Sequence, residues 1–198
     1  MRLYSSPLSG HGHRVEQFLR FLELPFEYVE AQADFRATEE FLKLNPLGQI
    51  PVLVDGELVL SDSCAILIYL AKNYALNSHW LPDNPLQIAQ IQRWLSIASG
   101  EIKYGCAISR MVKLWGGDWD LVQAQRIAHR ILQFMDLHLA KCRWLATDQV
   151  TIADIVCYAY VAHAPEGDVS LVNYKNVQRW ICDFEALPKF KAMPQSTI

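Results

Sequence analysis

Strand-like patterning is confined to the first third of this chain, and that asymmetry limits the fold more than any other feature. Arg2-Leu3-Tyr4-Ser5 opens as a short strand, and Phe26-Glu27-Tyr28-Val29-Glu30 alternates as a strand does. Pro51 to Val54 and Leu58 to Leu60 read as two more, with Asp55-Gly56 between them as a hairpin signal and Glu57 in or beside the turn. Helical spacing fills the gaps. From about Arg14, the residues Val15, Phe18, Leu19 and Leu22 share one face, and Pro25 closes that helix. Thr38 to Leu44 reads as a short helix stopped by Asn45-Pro46. Ser61-Asp62-Ser63 starts another, with Ile66, Leu67, Tyr69 and Leu70 on one side, ending near Tyr74. The order is β-α-β-α-β-β-α.

Beyond that point only helical periodicity remains. Leu86 to about Leu114 is a long helical pattern broken by Gly116-Gly117, and Asp118 to Cys142 is a second. Val150-Thr151-Ile152-Ala153-Asp154-Ile155 has capping-box spacing, with Asp for the usual Glu and Val150 and Ile155 placed as a hydrophobic staple. The helix it starts is apolar nearly all round and is expected at the centre of the fold. Val177 to Ala186 and a turn near Phe190 finish the chain. The fold class is therefore α+β: residues 1–76 form the mixed domain, 77–86 a linker, and 87–198 an all-helical bundle.

Composition narrows the function. Hydrophobic residues at 52% allow a packed core, and a net charge of -3 supplies no basic face for nucleic acid. The longest apolar run, Ile152 to Ala164, carries Asp154 and His163 and is too short to span a membrane. The N-terminus lacks the apolar core of a signal peptide, so a cytoplasmic location is expected. The five cysteines are odd in number and widely spaced, which disfavours a disulfide framework or a zinc site. Most fall in helical patterns where Cys acts as a small hydrophobe.

Four segments resemble those of the cytosolic glutathione S-transferases, of the serine type found in bacteria and in the theta, zeta and phi classes. Ser9 lies six residues before Val15, the offset of the catalytic serine in those classes. Asn45-Pro46-Leu47-Gly48-Gln49-Ile50-Pro51-Val52-Leu53 resembles the family's NPxGxxPxL segment. Asp62-Ser63-Cys64-Ala65-Ile66 resembles its D/E/Q-S-x-A-I segment, and Val150 to Asp154 resembles the capping box of its buried helix. Together the four span nearly the whole chain, in the family's order. The resemblance implies a thioredoxin-like domain ahead of the helical one, a cis bond before Pro51 and a symmetric homodimer.

It also implies a chemistry. Glutathione would be the co-substrate, with no metal, and its thiolate would attack a small apolar electrophile. Only the thiolate is nucleophilic, so the free thiol pKa of about 8.5 must come down. Ser9 is the candidate activating hydroxyl, with Tyr4, Ser5 and Ser6 as rivals; on local pattern alone Ser9 reads first as a loop serine that caps the helix. Asp62 and Ser63 would take the γ-glutamyl end at a helix start, where the alternative is again a plain cap. The Ile50 backbone, exposed by Pro51, would pair with the cysteinyl part as an added strand does. Gln49 is the first candidate for the glycine carboxylate, ahead of Lys43 and His13. Where many bacterial relatives have Asn, this chain has His11, with His13 following; either imidazole could touch the sulfur or the second substrate, or they are exposed loop residues, or one helps to start the helix. His-Gly-His offers no third ligand for a metal. Tyr104, Ile108, Met111, Val112 and Trp115 are candidate liners of the electrophile pocket, or ordinary core. Other uses of the same site would be a glutathione-dependent peroxidase, disulfide reductase or isomerase. A non-catalytic scaffold of the same fold is the reading outside enzymes.

Overall fold

The computed structural model describes residues 1–196. Strands β1 (Arg2–Ser5), β2 (Glu27–Glu30), β3 (Val52–Asp55) and β4 (Leu58–Ser61) form one mixed sheet in the order β2-β1-β3-β4. β1 pairs with β2 in parallel, as a helical crossover between them requires, and β3 pairs antiparallel with β1 and β4. A two-residue turn joins β3 to β4, with Asp55 opposite Leu58 and Gly56 at φ 59°.

The period of two along each strand sends alternate residues to two different cores. Leu3 and Leu53 join the large core under α1 (Gly10–Phe21) and α4 (Ser63–Tyr74). Tyr4 and Val52 join a smaller one with Ala31 and Phe41, under α2 (Ala33–Arg36) and α3 (Glu39–Leu44). The single turn of α2 was not legible in the sequence, and α1 starts four residues earlier than the periodicity placed it. Its first turn, Gly10 to His13, carries no large apolar residue, so the pattern begins only at Val15.

The helical part begins with α5 (Pro85–Ile97), capped by Asn84. The expected long helix continues to Gly116 but is not uniform. Ala98–Ala107 is π-helical before α6 (Ile108–Trp115) resumes the α form. α7 (Leu121–Leu139), α8 (Ile152–Ala162), a 3-10 turn (Ala164–Gly167) and α9 (Lys175–Glu185) follow. Every α8 residue from Ile152 to Val161 is buried, and the helix packs on α1 and α4 as well as on α5. One hydrophobic core thus runs from Leu3 to Met193 through both parts. The capping box at Thr151 and Asp154 forms as expected. No helix among the described residues is long and apolar enough to cross a membrane.

Candidate active site

A cleft of about 880 Å³ opens between the sheet domain and the helices. Its first wall is loop and helix start. β1 ends at Ser5, and Ser6 to Ser9 turn the chain into α1. Ser9 is the N-cap: its Oγ accepts the Gly12 N–H at 3.1 Å. A Cβ on Gly12 would sit 1.7 Å from Ser5 Oγ, so only glycine lets the first turn lie this close to β1. The cap uses an acceptor lone pair of Ser9 and leaves its O–H free to donate. The first turn of α1 contains no acid, so the positive end of the helix faces the cleft uncompensated.

The Asn45 to Ile50 segment supplies the adjoining edge. Asn45 is buried and fixes the loop, accepting Leu47 N–H and donating to the Gln49 carbonyl at 2.8 Å. Gly48 takes φ 62°, and the Ile50–Pro51 bond is cis. Gln49 and Ile50 line the cleft; Pro51 does not.

Behind this wall stands a buried group that the sequence reading missed. Arg14 is fully buried in α1, and among the described residues it has no carboxylate partner. Its Nη1 donates to Ser63 Oγ (3.1 Å) and to His11 Nδ1 (2.7 Å), and its guanidinium lies 5.4 Å from the Tyr160 ring centre. Burial, then the charges of Arg14 and Lys103, push the His11 imidazole down to about 2. His11 is therefore neutral at pH 7. With Nδ1 accepting from Arg14, its proton sits on Nε2. Asp62 caps α4 through Oδ1, which accepts the N–H groups of Cys64 and Ala65, from a backbone at φ 74°. Asp62 and Ser63 do not line the cleft; Ser63 joins it through His11, 3.3 Å away, which does.

The helical wall brings Ile108, Met111 and Trp115 into the cleft as expected, together with Lys103, Arg110 and Tyr160. A Cβ on Gly10 would lie 2.7 Å from the Tyr160 ring, so that glycine admits the phenol to the helix start. Burial pushes the Tyr160 phenol up, opposed by Arg14 and by the His11 backbone N–H.

Family models described as "Glutathione S-transferase, N-terminal domain" and "Glutathione S-transferase, C-terminal domain" match residues 1–72 and 118–188. Glutathione S-transferase 3 of Zea mays is 34% identical over 163 residues, covering 78% of this chain and 73% of its own. The chain belongs to the glutathione S-transferase family. A solved glutathione S-transferase from Xanthobacter autotrophicus superposes with a TM-score of 0.87 at 30% identity, over 98% of this chain and 96% of that one. A glutathione transferase homologue from a Drosophila species, solved with bound glutathione, superposes at 0.83 and 25% identity, over 94% and 88%. The sheet domain is thus thioredoxin-like, with the family's helical domain after it.

Several expected site residues of this transferase lie elsewhere. His13 is buried in the core, where Nε2 donates to the Lys191 carbonyl at 2.8 Å and the ring packs between Tyr158 and Phe190. Neither histidine is an exposed loop residue; both sit in the first turn of α1, as the helix-start alternative has it. Lys43 is a solvated charge on α3, paired with Glu39 at 2.9 Å. Tyr104 is 46% exposed and packs toward Trp119, and it and Val112 fall outside the cleft lining. Of the rival hydroxyls, Ser6 lines the cleft, Tyr4 packs against Phe35 and Phe41, and Ser5 is buried under Gly12. Cys106 and Cys157 are buried as small hydrophobes, whereas Cys142 and Cys182 are exposed. Arg14 could have been found: it stands one turn before Phe18 on the apolar face, where a charge is out of place. Lys103 and Arg110 had no such signal.

Proposed function

We propose that this transferase conjugates the glutathione thiolate to small electrophiles with a large apolar part, with Ser9 as the activating hydroxyl. The observation that carries this is the division of labour at Ser9, whose acceptor lone pair is held by Gly12 while its O–H is free at the cleft. That hydrogen donates to the thiolate. The His11 Nε2–H, on an imidazole kept neutral, is a second donor, and the start of α1 adds a favourable field. Ser63 and Asp62 take the γ-glutamyl carboxylate and ammonium, the backbone of Ile50 beside Pro51 pairs with the cysteinyl unit, and Gln49 with Arg36 meets the glycine carboxylate. Ile108, Met111 and Trp115 hold the apolar part of the electrophile. The sulfur's electron pair then forms the new C–S bond, the leaving group departs with its own pair, and the thiol proton has already gone to solvent.

The same reading includes a two-fold homodimer. Its support is a small apolar groove between α4 and α5, edged by half-exposed Ile68 and Ile88. Light scattering reads the mass.

The test of the chemistry is glutathione binding by calorimetry with the ultraviolet absorbance of the bound thiolate, for wild type, Ser9→Ala and Ser9→Gly. Glycine keeps most of the capping energy, so it separates folding from activation. Both variants should bind glutathione with the bound thiol pKa raised by about one unit, about 1.4 kcal/mol. Undiminished thiolate in both would transfer the role to His11 or Ser6. No binding by wild type would leave the scaffold reading.

A further inference from the structure

The two walls of the cleft differ in charge. The sheet side contributes one acid, Glu30, and one base, Arg36, whereas the helical side contributes Lys103 and Arg110 and no acid that lines the cleft, with Arg110 paired behind it to Glu166. Arg110 is almost fully buried; Nε bonds Glu166 at 2.5 Å, Nη1 bonds the Leu8 carbonyl at 2.9 Å, and Nη2 has no partner. Trp115, half exposed, lies over that guanidinium at 5.3 Å. Lys103 is half-buried in the π-helical segment; its Nζ lies over the Tyr104 ring, 5.4 Å from the centre, and it makes no ion pair among the described residues. Its charge reaches His11 on the opposite wall. π-helical segments are frequent at functional sites, and this one contains Lys103, which lines the cleft.

A purely apolar ligand closing over Lys103 would strip water from a charge that has the Tyr104 ring beside it but no carboxylate, and would return no counter-charge. Glutathione does not resolve this, because in the reading above its carboxylates are met from the sheet side. An anion on the second ligand would. We infer that the electrophile is an amphipathic acid: its apolar part lies on Ile108, Met111 and Trp115, and its carboxylate pairs with Lys103. This rests on the glutathione reading proposed above and narrows its second substrate from any apolar electrophile to one bearing a carboxylate.

The test uses two conjugates that share the glutathione arm and differ in one group: S-(4-carboxy-2-nitrophenyl)glutathione and its neutral carboxamide. Calorimetry on the whole protein gives both dissociation constants. Wild type should hold the acid at least about tenfold more tightly, the value of one charge-assisted contact. Lys103→Met should abolish that preference, and Lys103→Arg should keep it, which also guards against a folding defect in the methionine variant. Equal binding of the two conjugates by wild type would overturn the carboxylate assignment while leaving glutathione recognition standing. So would a preference that survives Lys103→Met. Failure of wild type to bind either conjugate would instead remove the glutathione reading, and this inference with it.

Discussion

Two helices of this molecule begin with an acid and a hydroxyl close together. α8 opens on Thr151 with Asp154 three residues on, and α4 opens on Asp62 with Ser63 beside it. At α8 everything is consumed locally. Asp154 is fully buried; Oδ1 accepts the Leu145 N–H and the Trp180 Nε1–H, Oδ2 accepts the Thr151 N–H, and Thr151 Oγ accepts Ala153 N–H. At α4 the accounts stay open. Asp62 is exposed, uses one oxygen for capping and sits at φ 74°, where a side chain is uncommon. Ser63 turns inward to a buried arginine that has no carboxylate of its own. A helix start that satisfies itself is architecture. One that is strained, half-used and wired to an uncompensated cation is prepared for a ligand.

The sharpest way to break that contrast is to disable each start in turn. Asp154→Ala leaves three buried N–H donors unpaired, each costing about 1–3 kcal/mol. Urea unfolding should show a loss of about 3 kcal/mol or more, while glutathione affinity of the folded fraction stays within about twofold, since each 1.4 kcal/mol of binding is tenfold. Ser63→Ala should do the reverse. A hydrogen bond to a charged group is worth about 1.5–3 kcal/mol, so glutathione should bind about 10- to 100-fold more weakly. Stability should change by about 1 kcal/mol at most, because Arg14 keeps His11. A large stability loss at Ser63 with unchanged binding would make the two starts equivalent.

How each feature could be read from the sequence follows the same division. The α8 start is a local pattern, Thr-x-x-Asp before an apolar run, and local patterns are what a sequence displays. The loop from Asn45 to Pro51 was legible for that reason too. What surrounds α4 and the cleft is not local. Arg14 meets Ser63 across 49 positions, and Arg110 meets Glu166 across 56. The face on which Lys103 emerges depends on a π-helical stretch that no 3.6-residue period announces. His11 and His13 look alike in sequence, yet one turns toward Ser63 and the other is held by the Lys191 carbonyl, 178 positions away.

The α8 start and the α1 imidazole that meets the α4 start at Ser63 should also separate by pH. Burial raises the Asp154 carboxyl to about 6 against the pull of its N–H donors, so the native state holds that proton longer than the unfolded chain does. Its contribution therefore favours folding as pH falls. His11, pushed down to about 2, has the opposite sign: below pH about 6.5 the unfolded chain takes a proton that the native state refuses. Its contribution is whole above the unfolded pKa and is lost as pH falls. His11→Gln should flatten the acid side of the stability profile by about 1.4 kcal/mol per pH unit between roughly pH 6 and 4, relative to wild type. Chemical unfolding at a series of pH values measures that difference directly, and parallel profiles would mean that the folded protein takes up this proton as readily as the unfolded chain.

The smallest expected effect tests the finest distinction, whether the Asp62 charge does anything that its cap does not. Asn is as good an N-cap as Asp and tolerates positive φ, so Asp62→Asn keeps the helix start and removes only the charge. Folding should lose a few tenths of a kcal/mol, the part owed to a negative group at the helix N-terminus. If the free oxygen of Asp62 faces the glutathione ammonium, an exposed ion pair worth about 0.2–1 kcal/mol disappears. Calorimetry should then show affinity falling by about two- to fivefold at low salt, with the gap to wild type closing as salt screens the pair. Equal affinities at every salt concentration would reduce Asp62 to the role Asp154 plays at α8, leaving Ser63 and the arginine behind it to account for the site.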